Sequence, residues 1–506
     1  MPPGPRPQRF RLEALTLDTG GDRPLYLQLE RRLRDAILSG RLPPEERLPS
    51  TRLLAQQLGV SRNTAVKAYE QLRVEGFLDT RRGSGTRVAA TLPDDLLHAP
   101  RRTQHARAAR RNRIRLALSA ERLRDVLTWM QQETERLSRP FRAHTPASDV
   151  FPRETWTQLT NRRQRTLPRR FTERTNPTGY RPLREAIAVY LGASRDVSCT
   201  ADNVMITAGA QQGIGLLARL LIDDGDVVVM ENPGYTPAAV IFETAGARIK
   251  SIPVDDNGLD LAKLRRLDPP PKLVYVTPSS QFPLGMTMPL SRRLALLDWA
   301  DRENVTIVED DYNGEYRYSG RPVAALHALA APGRVIYTGS FSKLLFPALR
   351  VGYLVVPEEL IEWLSAARWL IDRHSPPVEQ AVLADFINEG HFVRHVRRMR
   401  TLYAERQAAL VDAVQRHLDG ILTTTAMDSG LHLIGELCPP HTESSLLSAA
   451  ASAGVELMPT SWFAFEPLEK PSFLLGYAPF RHRELVRAAR GLAKACNTGR
   501  SRNTLP

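Results

Sequence analysis

The sequence predicts a multidomain protein: a small, basic α+β domain, a basic linker, and a much larger α/β domain. Three observations predict it. At 506 residues, the chain is too long for one hydrophobic core, given roughly 100–200 residues per domain. The net charge of +14 is localised. Residues 1–145 hold 28 Lys+Arg against 16 Asp+Glu, whereas residues 146–506 hold 41 against 39. Such asymmetry is what one small module facing a polyanion produces. Finally, from about residue 151 short apolar runs alternate with helical patterns, the signature of helices packed on a largely parallel sheet.

In chain order, residues 1–19 read as a flexible, Pro-rich leader and 20–90 as a compact basic domain. Residues 91–145 read as an Arg-rich linker without glycine that contains at least one helix, 146–496 as the large domain and 497–506 as a tail. No run of about 18 apolar residues is present, which argues against a membrane helix. The opening residues lack the apolar core of a signal peptide. Cys199, Cys438 and Cys496 are far apart and odd in number. That predicts neither a disulfide framework nor a metal site, and a cytoplasmic location.

Within residues 20–90, Pro24 opens a helix whose apolar stripe is Leu25, Leu29, Leu33, Ile37 and Leu38, ended by Ser39-Gly40. Ser50 caps a second helix, Thr51–Leu58, closed by Gly59;. Ser61 caps a third that begins Arg62-Asn63-Thr64 and continues through Lys67. Two short helices joined through a Gly turn form a helix-turn-helix, whose second helix enters the major groove N-terminus first. Arg62, Asn63, Thr64 and Lys67 can donate to phosphates and base edges, with no acidic residue before Glu70;. Residues 77–88 then read as a hairpin wing, with Arg81 and Arg82 beside a Gly83-Ser84-Gly85 tip;.

These residues, with Leu48-Pro49-Ser50-Thr51-Arg52 and Val60-Ser61-Arg62-Asn63-Thr64, resemble the GntR-type winged helix-turn-helix. The resemblance implies that Arg52 and Arg62 contact double-stranded DNA, aided by Ser61, and that the wing glycines Gly83 and Gly85 approach the minor groove.

In the large domain, runs at 204–207, 227–230, 273–277, 305–308, 335–337 and 353–356 read as buried parallel strands;. The most informative segment is Tyr337-Thr338-Gly339-Ser340-Phe341-Ser342-Lys343, with Arg350 following. A confined, partly desolvated lysine loses its proton readily and suits a Schiff base. Ser340, Ser342 and Arg350 can together hold a phosphate. Upstream, the 305–308 strand runs into Glu309-Asp310-Asp311-Tyr312, a carboxylate at a strand end where α/β sheets place ligands;. Gly209, Ala210 and Gln211 open a helix after another strand, and helix starts bind anions through backbone N–H groups;. Tyr235 stands at a fourth strand end.

These four elements, in this order, resemble fold-type I pyridoxal 5'-phosphate (PLP)-dependent enzymes of the class I/II aminotransferase group. The resemblance implies that Lys343 forms the Schiff base, that Asp310 pairs with the ring nitrogen, with Asp311 as the alternative one residue away, and that Tyr312 donates to the phenolate oxygen. It further implies that Tyr235 stacks on the ring and that Ser340 and Arg350 bind phosphate. Two departures stand out. Leu474 occupies the place of the arginine that grips a substrate's α-carboxylate, and Phe282-Pro283-Leu284-Gly285 replaces Asn-Pro-Thr-Gly. Arg481 is an alternative source of the missing cation.

The combination resembles the MocR-type regulators of the GntR superfamily. It implies a homodimeric, PLP-binding transcription factor, not an enzyme, that binds an operator and senses PLP or an amine or amino-acid effector at Lys343. A working aminotransferase with an accessory DNA-binding domain is the competing expectation.

Overall fold

A computed structural model describes residues 17–18, 23–81, 85–90, 116–124, 126–127, 130, 139–166, 176–318 and 323–502. The chain divides into two compact units, residues 1–115 and 116–506.

The small unit holds helices α1 (Leu25–Leu38), α2 (Thr51–Leu58) and α3 (Arg62–Val74), then strands β1 (Leu78–Arg81) and β2 (Gly85–Val88). Its caps are those the sequence predicts. Ser50 accepts from the Leu53 N–H, Ser61 accepts from the Thr64 N–H, and Gly59 ends α2 in the left-handed region at φ 64°. Leu29, Leu33, Ile37, Leu54, Ala65, Ala68 and Leu72 meet in one core. Two details differ from expectation. Leu38 is 41% exposed, because the helix has turned past the core by its last residue. Leu17 and Asp18, read as leader, already dock: Leu17 packs on the core and the Asp18 N–H donates to Gln28 Oε1. The wing pairs Leu78 with Val88 through Arg81 with Gly85, and Arg47 adds a third segment by bridging to Arg87.

The large unit is built on an eight-stranded sheet in the order β3-β10-β9-β8-β7-β4-β5-β6. Its strands are β3 (Val204–Thr207), β4 (Val227–Asn232), β5 (Arg248–Asp255), β6 (Gly258–Leu259), β7 (Leu273–Val276), β8 (Thr306–Asp310), β9 (Val335–Ser340) and β10 (Gly352–Val355). Strands β7, β9 and β10, and β3 at the sheet's edge, are buried along their whole length, in keeping with their apolar runs;. Strands β4, β5, β7, β8 and β9 run parallel. The 353–356 run, expected to be parallel, is antiparallel to both neighbours, with Gly352 opposite Thr207 on β3 and Ser340 on β9. The loop from β9 to β10 is too short for the crossover that a parallel pair needs. A second sheet, ordered β11-β12-β14-β13, comprises Leu422–Thr424, His432–Leu437, Met458–Pro459 and Ser472–Gly476 in chain order.

The connection between the units also ends earlier than the 91–145 reading. Residues 139–144 belong to the large unit: Phe141 is fully buried and bridges Gly476 of β14, and the Gly476 N–H donates to its carbonyl at 2.7 Å. A helix, Leu118–Glu121, lies within the stretch read as linker, and its neighbour Arg122 donates to the Glu243 carbonyl. The C-terminal helix runs from His482 to Arg502, through part of the expected tail. Among the described residues, no helix is long and apolar enough to cross a membrane.

Candidate cofactor cavity and nucleic-acid interface

Parallel strands deliver their C-terminal ends to one edge of a sheet, where α/β proteins bind ligands. Here that edge opens into a cavity of about 440 Å³. β3 supplies Gly209, Ala210 and Gln211, and β4 supplies Tyr235. β8 supplies Asp310 and Tyr312, and β9 supplies Ser340, Ser342 and Lys343. Arg350 joins them because β10 is reversed: the residues preceding it return to the edge where β3 and β9 end. All ten residues singled out for the cofactor therefore line one cavity.

The close approach is sterically selected. Gly209 sits at φ 101°, and a Cβ there would lie 3.2 Å from the Arg350 guanidinium. A Cβ on Gly352 would lie 2.8 Å from the Gly209 backbone, so both positions need glycine for β3 and β10 to meet;. Gly209 precedes the helix Ala210–Leu221, whose first turn offers backbone N–H groups to the cavity;.

The two aspartates separate clearly. Asp311 is bound to Arg195 at 2.7 Å and receives the Tyr337 hydroxyl at 2.7 Å, away from the cavity. Asp310 lines the cavity, receives the Tyr275 hydroxyl on Oδ2, and leaves Oδ1 buried without a partner. Burial pushes its pKa up to about 7, against the pull of the Tyr275 hydrogen bond;. Ser342 Oγ is likewise buried without a partner, and Ser340 Oγ accepts the Ser342 N–H at 3.2 Å. Lys343 Nζ donates to the His144 carbonyl at 2.7 Å. Tyr235 receives Gln211 Nε2 on its hydroxyl at 3.1 Å.

Residues beyond those ten also line the cavity, among them Phe282 of the departing Phe-Pro-Leu-Gly stretch. Phe282 gathers Tyr235, Tyr312, Phe463 and His144 around its ring, with centroids 5.0–5.8 Å away. Burial, with His432, Lys343 and Arg142 nearby, holds the His144 imidazole well below its ordinary range. Arg142 faces Glu456 across the cavity wall at 3.5 Å. Residues 139–144 lack periodicity and lie far from the motifs in sequence, so only a recognised β-bridge to β14 would have found them. Leu474 is fully buried in β14. Arg481 is outside the cavity lining; its side chain is 76% exposed and 3.9 Å from Asp149.

In the small unit, α3 buries Ala65, Ala68, Tyr69 and Leu72 and leaves Arg62, Asn63 and Lys67 exposed. Arg52, second in α2, is exposed as well. Ser61 and Thr64 are joined through their side chains at 2.9 Å, which commits Ser61 to capping. Lys67 Nζ stands over the Tyr26 ring at 5.5 Å. Gly85 is at φ 83° beside the exposed Arg47 guanidinium, a cation that the sequence reading omitted. Arg82, Gly83 and the Arg81 side chain lie outside the described residues.

Comparison with known proteins matches residues 25–88 to the gntR family of bacterial regulatory proteins and residues 143–474 to the class I and II aminotransferases. Over 97% of its length the chain is 39% identical to the probable rhizopine catabolism regulatory protein MocR of Rhizobium meliloti, covering 98% of that protein. The chain belongs to the MocR-type regulators.

A second relative of this MocR-type chain is the pyridoxine biosynthesis transcriptional regulator PdxR of Corynebacterium glutamicum, 30% identical over 86% of this chain and 88% of that one. Among solved structures, the α-aminoadipate aminotransferase LysN of Thermus thermophilus, crystallised with a phosphopyridoxyl-leucine, superposes with a TM-score of 0.69 at 28% identity, over 76% of this chain and 98% of that one. A MocR-type regulator thus joins a gntR-family DNA-binding head to a body with the aminotransferase fold.

Proposed function

We propose that this regulator holds PLP at Lys343, senses a primary amine or amino acid there, and reports it to an operator-bound head without turning amino acids over. The observation that carries the reading is the pair of unpartnered buried atoms, Asp310 Oδ1 and Ser342 Oγ, in one cavity with Lys343 and Arg350. The residues fit the cofactor. A buried carboxylate with one oxygen left without a partner suits a protonated ring nitrogen. A free hydroxyl, a helix start and Arg350 suit a phosphate. Bound there, PLP would supply an electrophilic aldehyde and an electron-withdrawing ring.

The chain's own residues divide the remaining work. Asp310 would hold the ring-nitrogen proton, Tyr235 and Tyr312 would flank the ring, and Phe282 with Phe463 would exclude water. The His144 carbonyl holds Lys343 Nζ until the amine is used. Buried Leu474 and the apolar Phe282 and Leu284 remove two polar anchors that would orient an amino acid's Cα–H bond, which argues against turnover. Incubating the PLP-loaded protein with common amino acids should release negligible keto acid, measured by a coupled dehydrogenase assay. Stoichiometric release within seconds would sink the non-catalytic reading.

On DNA, the exposed Arg62, Asn63 and Lys67 would enter the major groove, with Arg52 and the wing on the backbone. A homodimer would present two such helices to a two-fold operator. Arg62→Ala should weaken operator binding by about 1–3 kcal/mol and relax selectivity at one base pair. Fluorescence anisotropy across a salt series checks this. Equal loss on operator and random duplex would make Arg62 a phosphate contact instead.

A further inference from the structure

We propose that Tyr275 is the positioning residue for the cofactor's ring nitrogen: its hydroxyl holds Oδ2 of Asp310 and so leaves Oδ1 to face the ring-nitrogen proton. The proposal rests on the reading that Asp310 pairs with that nitrogen.

Tyr275 is the polar exception in an aliphatic strand. β7 reads Leu273-Val274-Tyr275-Val276, and all four residues are buried. A buried hydroxyl needs a hydrogen-bond partner, so a ring that only filled space there would be better served by phenylalanine. The register supplies the partner. Tyr275 lies opposite Val308 on the parallel strand β8. Residues two apart on a strand share a face, so Asp310 stands one step beyond Val308 on that face, toward the ligand edge. The Tyr275 ring packs with Val308, Met230 and Phe242 in one core, and its hydroxyl donates to Asp310 Oδ2. Among the described residues, no other hydrogen bond reaches the Asp310 side chain, and Oδ1 is buried without a partner.

The neighbouring aspartate shows why the donor is a hydroxyl. Asp311 receives a guanidinium from Arg195 as well as the Tyr337 hydroxyl, so its charge is already compensated. Tyr275 orients Asp310 without compensating it, because a hydroxyl donates a hydrogen bond but carries no net charge. A hydrogen bond to the charged form of an acid favours that form. The Tyr275 bond therefore works with Lys343 against burial, Asp311 and Glu309, which all disfavour ionised Asp310. The hydroxyl keeps its own proton: burial, with Asp310, Tyr235 and Glu231 nearby, holds its pKa well above the ordinary range. A carboxylate with one oxygen held, one oxygen free and no cation beside it is what a protonated ring nitrogen completes.

The test loads the full-length protein with PLP carrying nitrogen-15 in its ring and reads that nitrogen by solid-state NMR, with the PLP dissociation constant measured by equilibrium dialysis. The wild type should show a protonated ring nitrogen. Tyr275→Phe, which removes only the hydroxyl, should move the resonance toward the neutral-pyridine position and weaken PLP about tenfold, the value of one hydrogen bond to a charged group. Tyr337→Phe takes an equally buried hydroxyl from Asp311 and should leave both readings at wild-type values. Replacing Tyr275 by 3-fluorotyrosine, a stronger donor of nearly the same shape, should tighten PLP, and it tests the same bond if Tyr275→Phe does not fold. The proposal falls if Tyr275→Phe moves neither reading, if Tyr337→Phe moves them equally, or if the fluorinated side chain leaves PLP affinity unchanged. Asp310→Asn separates the proposal from the reading beneath it. A ring nitrogen that stays protonated in Asp310→Asn overturns the pairing with Asp310. A nitrogen that turns neutral there but stays protonated in Tyr275→Phe overturns the role of Tyr275 alone.

Discussion

Lys343→Ala is expected to leave a protein from which all PLP separates on denaturation after borohydride reduction, whereas the wild type should retain about one cofactor per chain. Among the residues lining the cavity, Lys343 is the single amine, so no neighbour can replace the covalent link. Ser340, Ser342, Arg350 and the helix start at Ala210 are untouched by the substitution, so noncovalent binding should persist, weakened. Mass spectrometry of the reduced, digested protein checks the site. A reduced cofactor on any other lysine would refute the assignment.

Asp310→Asn should move stability and cofactor affinity in opposite directions. In the cofactor-free protein burial raises the Asp310 pKa from an ordinary 3.8 to about 7. For an acid whose folded pKa is raised, the neutral form carries the stability. That contribution is complete below the unfolded pKa and is lost as pH rises through 7. At pH 8 the ionised, partnerless oxygen costs the fold on the order of 4 kcal/mol, from about three pKa units at 1.36 kcal/mol each. An isosteric amide removes that cost and can still accept the Tyr275 hydroxyl. The melting temperature of cofactor-free Asp310→Asn should therefore exceed the wild type's at pH 8 and approach it near pH 4. Its PLP affinity should fall, because an amide cannot hold a proton on the ring nitrogen. Unchanged stability at pH 8 would mean that Asp310 is better solvated than its burial indicates. Glu231, Glu309 and Glu315 are likewise pushed up to about 7 by burial and remain in the variant, so the comparison isolates Asp310.

Local chemistry made much of this protein legible from its sequence. Ser50, Ser61 and Gly59 announce helix ends because capping is decided within four residues. The runs of β3, β7 and β9 announce buried strands because each is apolar on both faces. Lys343, Asp310 and Gly209 announce a ligand edge because each follows such a strand directly. Tertiary structure decided what depends on partners distant in the chain. The reversal of β10 is invisible in its composition, since a buried strand looks alike in either direction, yet it alone brings Arg350 beside Gly209. Asp310 and Asp311 are interchangeable in sequence, and distant partners separate them: Arg195, 116 residues away along the chain, and Tyr337 claim Asp311, whereas Tyr275 holds one oxygen of Asp310. Arg142 and His144 read as the end of a basic linker, and they become cavity wall because Phe141 pairs with Gly476. A register set by one backbone bridge has no local signature; it exists only once the second sheet is folded and β14 runs past the short β13, leaving Gly476 open to the incoming segment;.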